Sequence, residues 1–149
     1  MFKKTLVLVS MSVTLALPSA GLARGLSAIG GMPVNATEAN CWGNSLGAVV
    51  NNCSTVKRWC IPLPIDAAGY YNVRVYAYGL SSSSNVGCFA TGTTPEANWQ
   101  WYSSQVYLST FGSDQPINLT GAYVPNAGAL YACCDASPGA RVDTVTWWQ

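Results

Sequence analysis

The chain carries six cysteines (Cys41, Cys53, Cys60, Cys88, Cys133 and Cys134) and no histidine. An even cysteine count behind an export signal reads as a disulfide framework, so the fold must bring these thiols together in bonding pairs. The missing histidine removes the commonest general base and metal ligand. The two features together point to a stapled extracellular scaffold more than to a catalyst.

The export signal is written in the first 23 residues. Lys3 and Lys4 open it, residues 6–17 form an apolar stretch diluted only by Ser10, Ser12 and Thr14, and Pro18 ends that stretch before small residues follow. This is the order of a secretory signal peptide. Cleavage after Ala23 suits the small residues Gly21 and Ala23, whereas cleavage after Ala20 would bring Pro18 into a less suitable position. The apolar run is shorter than the ~20 residues of a membrane helix, and nothing later resembles one. A secreted protein, periplasmic or extracellular and of bacterial type, is expected.

Loss of residues 1–23 removes Lys3 and Lys4, so the remaining chain has one more acid than base. Its only basic cluster is Lys57-Arg58, too little for a nucleic-acid footprint or for anionic membranes. What remains is one domain's worth of chain, long enough to bury a core that disulfides supplement.

Residues 24–40 hold Gly and Pro breakers and no sustained period, so they are expected to be an extended and partly mobile lead-in to a domain over 41–149. The clearest strand is 71–78. Tyr71, Val73, Val75 and Ala77 alternate with Asn72, Arg74, Tyr76 and Tyr78, the period of a half-buried strand. In 59–65, Trp59, Ile61, Leu63 and Ile65 share one parity. Pro62 and Pro64 share the other and lack N–H donors, which predicts an edge strand. Further strands are expected over 86–91, 99–108, 116–123, 129–134 and 142–148, with turns at Pro95, Gly112, Gly128 and Pro138. Seven or eight short strands at this spacing predict an all-β, antiparallel β-sandwich, of plain or jelly-roll type.

Three stretches carry a resemblance. They are Cys41 followed by Gly47-Ala-Val-Val-Asn51-Asn52, then Trp59-Cys60-Ile-Pro-Leu-Pro64 leading into Val73-Arg-Val75, and last Tyr131-Ala-Cys-Cys134-Asp-Ala-Ser-Pro138. The chain resembles a group of uncharacterised secreted bacterial proteins of myxobacterial type, whose pattern is a first cysteine, a Gly-x-hydrophobic-x-Asn segment, a cysteine strand with proline, and a late cysteine before a proline turn. The resemblance spans most of the chain after the signal. It implies a disulfide-linked β-sandwich and no activity. Against its pattern, Cys41, Cys60, Cys88 and Cys134 hold the familiar places while Cys53 and Cys133 look like additions, which implies a Cys53–Cys133 bridge. Independently of the resemblance, adjacent strand residues point to opposite faces, so Cys133 and Cys134 should bond to different partners.

Catalysis finds little support. The acids Glu38, Asp66, Glu96, Asp114, Asp135 and Asp143 fall largely in turns, loops and the lead-in, where aspartates usually cap their own backbone. No serine has a histidine to activate it, and paired cysteines leave no thiolate. Cys133-Cys134-Asp135 lacks the histidine or Cys-x-x-Cys spacing of a soft-metal site, so no metal and no cofactor are expected.

Aromatic residues are the functional lead. Trp99 and Trp101 would share one face of a strand, with Gln100 and Tyr102 on the other, and Tyr76 and Tyr78 lie beside Arg74 on a polar face. Flat rings stack on the C–H faces of sugars, with neighbouring polar groups taking the hydroxyls. The competing reading packs Trp59, Trp99 and Trp147 in the core. It is favoured for Trp99 and Trp101, and it stands level with sugar binding for Tyr76 and Tyr78. At the chain end, Trp147 and Trp148 should face opposite sides of a terminal strand. Three functions follow in order: a non-catalytic structural or surface-associated protein of an envelope or matrix; a carbohydrate- or surface-binding module whose polysaccharide site uses Arg74, Tyr76, Tyr78, Trp99 and Trp101; and an enzyme inhibitor presenting loop 81–85.

Overall fold

The alternation along the chain becomes two antiparallel sheets in the computed structural model, which describes residues 23–149. The export signal therefore lies, apart from Ala23, outside the described residues. One sheet holds β3 (Trp42–Ser45), β4 (Ala48–Asn51), β6 (Gly69–Tyr78), β10 (Gln115–Val124) and β12 (Arg141–Trp148) in the order β10-β6-β12-β4-β3, with β1 (Arg24–Ser27) also pairing with β12. The other holds β2 (Met32–Pro33), β5 (Lys57–Leu63), β7 (Val86–Thr93), β8 (Gln100–Tyr102) and β11 (Ala129–Ala136) in the order β2-β5-β11-β7-β8, with β9 (Val106–Tyr107) also pairing with β7. These are the β1 sheet and the β2 sheet below.

The β-sandwich is thus all-β as expected, with twelve strands among the described residues in place of seven or eight. The surplus is in short pieces. Residues 24–40 supply β1 and β2, one to each sheet, with a short 3-10 turn at Ala28–Gly30 between them and another at Ala36–Cys41 leading into β3. Neither strand has a period to read, because pairing with a long partner holds two to four residues extended. The run 99–108 divides into β8 and β9 because Ser103 interrupts it: the Ala90 amide donates to Ser103 Oγ at 2.9 Å and the Ser103 amide to the Ala90 carbonyl at 2.8 Å.

Both long alternating strands bury the predicted face. On β6, Tyr71, Val73, Val75 and Ala77 are buried. On β5, so are Trp59, Ile61 and Leu63, and Ile65 packs against the same core. β5 is second from the edge over Trp59 and Cys60, where β2 covers it, and its proline end lies beyond those two pairs. Trp147 is in the core and Trp148 faces out, while Trp59 Nε1 donates to the Ala28 carbonyl and Trp147 Nε1 to the Pro64 carbonyl, each at 2.8 Å.

The disulfides are Cys41–Cys53, Cys60–Cys133 and Cys88–Cys134. The Cys53–Cys133 bridge implied by the resemblance does not form, and the reason is register. Cys60 lies directly opposite Cys133 across β5 and β11, and Cys88 directly opposite Cys134 across β11 and β7, each with 4.1 Å between Cα atoms. Cys41 and Cys53 instead flank the last pair of the β3–β4 hairpin, Trp42 with Asn51. Cys133 and Cys134 do take different partners, as strand alternation requires.

Candidate functional site

Register also builds a groove on the outer face of the β2 sheet. Three rungs cross β5, β11 and β7: Arg58, Asp135 and Gly87; Cys60, Cys133 and Phe89; Pro62, Tyr131 and Thr91. β2 adds Met32 opposite Cys60, and β8 adds Tyr102 opposite Thr91 and Gln100 opposite Thr93. The result is an open groove of about 390 Å³ between Met32, Pro33 and Val34 on one side and Ala97, Gln100 and Tyr102 on the other. Its floor is the Cys60–Cys133 disulfide with Phe89, Pro62 and Tyr131.

The rim on the β8 side is a tight turn. The Thr94 amide donates to the Trp99 carbonyl at 3.1 Å, the Ala97 amide donates to the Thr94 carbonyl at 3.0 Å, and Ala97 takes a left-handed φ of 55°. Thr94 Oγ1 donates to Asn98 Oδ1 at 2.7 Å and fixes the same turn. Tyr102, 58 % exposed, leans on Phe89 with ring centroids 5.7 Å apart. At the foot of these rings Thr91 Oγ1 is buried without a hydrogen-bond partner among the described residues. A buried hydroxyl of this kind is costly unless something satisfies it.

Arg58 is the charged residue of the lining. Its Nε donates to Asp135 Oδ1 at 2.7 Å and its Nη2 to Asp135 Oδ2 at 2.8 Å, while Gln105 Nε2 donates to Asp135 Oδ2 at 3.0 Å. The guanidinium also lies 5.0 Å from the centroid of the Phe89 ring. Its hydrogen bonds to Asp135 outweigh partial burial and hold Arg58 above the ordinary arginine value.

The five residues singled out in the sequence do not share one place. Arg74, Tyr76 and Tyr78 lie on the outer face of β6, in the β1 sheet. There Arg74 Nε donates to Asn118 Oδ1 at 2.8 Å and the guanidinium sits over Trp148, 5.6 Å from its centroid. Tyr78 lies under Arg141, which pairs with Asp143 and Asp114 at 2.5 Å each. Burial pushes the Asp143 carboxyl up; Arg141 opposes this, and nearby Asp114 adds to it. Trp101, 37 % exposed, sits edge-on to Tyr123 at 5.4 Å on the flank of the sandwich, and Trp99, 69 % exposed, projects from the rim turn. Neither Trp99 nor Trp101 belongs to the core, contrary to the favoured expectation for both. Loop 81–85 is a short turn tied down by the Ser84 amide to the Ser81 carbonyl at 3.0 Å and by Ser84 Oγ to the Pro138 carbonyl at 3.0 Å.

Phe89, Tyr131 and Arg58 of the groove went unread in the sequence, although parity marks them: Phe89 lies between the inward Cys88 and Ala90, and Tyr131 shares the parity of Cys133. Their convergence depends on register across three strands, which no local pattern states.

Solved structures of other proteins share this antiparallel β-sandwich fold. Two solved structures are similar to this chain: the GH26-CBM35 β-(1,4)-mannanase of Podospora anserina, at a TM-score of 0.53, 11% identity and 84% of this chain covered, and the CBM22-1-GH10 modules of a Clostridium thermocellum endo-1,4-β-D-xylanase complexed with xylohexaose, at 0.51, 12% and 89%. The chain spans only 27% and 25% of their respective lengths. No family model matches the chain, and no curated protein is similar to it at a significant level.

Proposed function

We propose that the protein is an exported, non-catalytic carbohydrate-binding module that holds a glycan chain along the groove of the β2 sheet. The reading rests on the groove, where the exposed Tyr102 ring and the Phe89 and Tyr131 rings converge in one open channel. Rings offer π faces to sugar C–H groups, and Gln100 and Arg58 of the lining supply donors for hydroxyls. The β-sandwich fold shared with a CBM35-bearing mannanase and with xylanase modules complexed with xylohexaose adds support. This moves the carbohydrate reading ahead of the structural role that the sequence put first. Its site differs from the five residues first chosen.

Export fits the three disulfides, which persist in oxidising compartments. No helix among the described residues is long and apolar enough to cross a membrane.

Retention on insoluble polysaccharides and affinity electrophoresis in soluble ones test the reading. Tyr102→Ala should lower affinity by at least about tenfold (~1.4 kcal/mol) with the fold intact, while Tyr76→Ala should leave it unchanged. Equal loss in both variants, or retention that survives Tyr102→Ala, would remove the groove as the site.

A further inference from the structure

We infer that Asp135 makes the groove selective for neutral glycans by occupying the anion-reading edge of Arg58. The inference rests on the carbohydrate reading of the groove and names the ligand class. An arginine in a sugar groove would ordinarily recognise the carboxylate of a uronic acid, because its planar fork matches two carboxylate oxygens. Here one of its two bidentate edges is taken. Nε and Nη2 both point at Asp135, and Gln105 holds the same carboxylate from a third direction.

A uronate pairing with that edge would have to displace Asp135 and leave it as a charge without its partner. The Asp135 side chain is 20% exposed, so water would compensate only in part. If Asp135 stayed in place, the uronate would meet a guanidinium whose charge is already neutralised. Glu96, exposed in the rim turn, is the chain neighbour of the lining residue Ala97 and adds a negative charge to that turn. A neutral sugar meets no such conflict. The guanidinium N–H groups that the pair does not use can still donate to hydroxyls, with Arg58 held in place against Phe89.

The test is calorimetric titration with neutral hexamers (xylohexaose, cellohexaose and mannohexaose) and with hexagalacturonate. Wild type should bind its best neutral hexamer at least about tenfold more tightly than hexagalacturonate, a gap of ~1.4 kcal/mol. Asp135→Asn keeps the size and one acceptor oxygen but frees the charge of Arg58. The hexagalacturonate-to-neutral affinity ratio should rise by about tenfold, and ~0.5 M salt should largely cancel the rise. In the double variant Arg58→Gln/Asp135→Asn the ratio should return to that of wild type, which ties the gain to Arg58.

Near-ultraviolet circular dichroism checks that each variant is folded. Wild-type binding of hexagalacturonate as tight as that of any neutral hexamer overturns the charge argument and leaves the carbohydrate reading standing. An unchanged ratio in folded Asp135→Asn does the same. Failure of wild type to bind any hexamer or polysaccharide overturns both.

Discussion

Cys60 and Cys133 face each other across β5 and β11, and the bond between them forms part of the groove floor. One rung of the sheet thus serves both as a staple and as ligand-facing surface. The neighbouring bond, Cys88–Cys134, points into the core, where both residues are fully buried.

Access should therefore order the chemistry of the three bridges. Under mild reductant and alkylation, Cys60–Cys133 and Cys41–Cys53 should open before Cys88–Cys134, and peptide mapping of the unreduced protein should return these three pairs. Early alkylation of Cys88 would contradict the packing. Replacing Cys60 and Cys133 together by Ala should cost about 2–4 kcal/mol. That is more than the loss of Cys41–Cys53, because 73 residues separate the first pair and 12 the second.

Asn51 is a fully buried polar residue with every side-chain function used. Nδ2 donates to the Thr55 carbonyl at 2.9 Å and to the Ala136 carbonyl at 2.8 Å, and Oδ1 accepts from the Cys53 amide at 3.0 Å. Asn51→Ala should lower stability by roughly 2–3 kcal/mol by leaving buried backbone groups unpaired. Urea denaturation measures this. A change under about 0.5 kcal/mol, the range of an ordinary surface substitution, would mean that water replaces the side chain.

Gly92 lets the two sheets meet at one flank. A Cβ there would stand 1.9 Å from the Tyr123 carbonyl oxygen and 2.6 Å from its carbon, both backbone atoms that cannot swing aside. Gly92→Ala should cost about 1–3 kcal/mol and shift the Trp101–Tyr123 contact, visible as a lower melting temperature with altered tryptophan fluorescence. Unchanged melting would mean that the flank is looser than its geometry.

Asp143 should titrate above the ordinary aspartate value of 3.8, with burial as the main cause. Between its unfolded and native midpoints the folded protein holds the extra proton, so this group makes stability fall as pH rises through that window. Asp114→Asn removes a neighbouring negative charge and should lower the Asp143 midpoint. Carboxyl carbon NMR reads both midpoints, and an Asp143 midpoint below 3.8 would reverse the sign.

Much of the fold was legible in the sequence. The alternation of Tyr71, Val73, Val75 and Ala77 set which face of β6 is buried, and that of Trp59, Ile61 and Leu63 did the same for β5. The site was less legible. Tyr76 and Tyr78 are on an outer face as their parity demands, but on the sheet that does not carry the groove. Asn51, part of the Gly-x-hydrophobic-x-Asn resemblance, proves to be a structural residue that ties β4 to β11.

By itself the sequence determined an even set of cysteines for bonding, two strands with one apolar face each, and opposite directions for Cys133 and Cys134. The last two follow from the two-residue period of a strand, which acts over a few neighbours. Tertiary structure alone decided that Cys60 meets Cys133, that Arg58 meets Asp135, and that Phe89, Tyr131 and Tyr102 line one channel. Those outcomes depend on register between residues as near as Thr91 and Tyr102 and as distant as Arg58 and Asp135. Register comes from burying every apolar face at once, so no single segment records it.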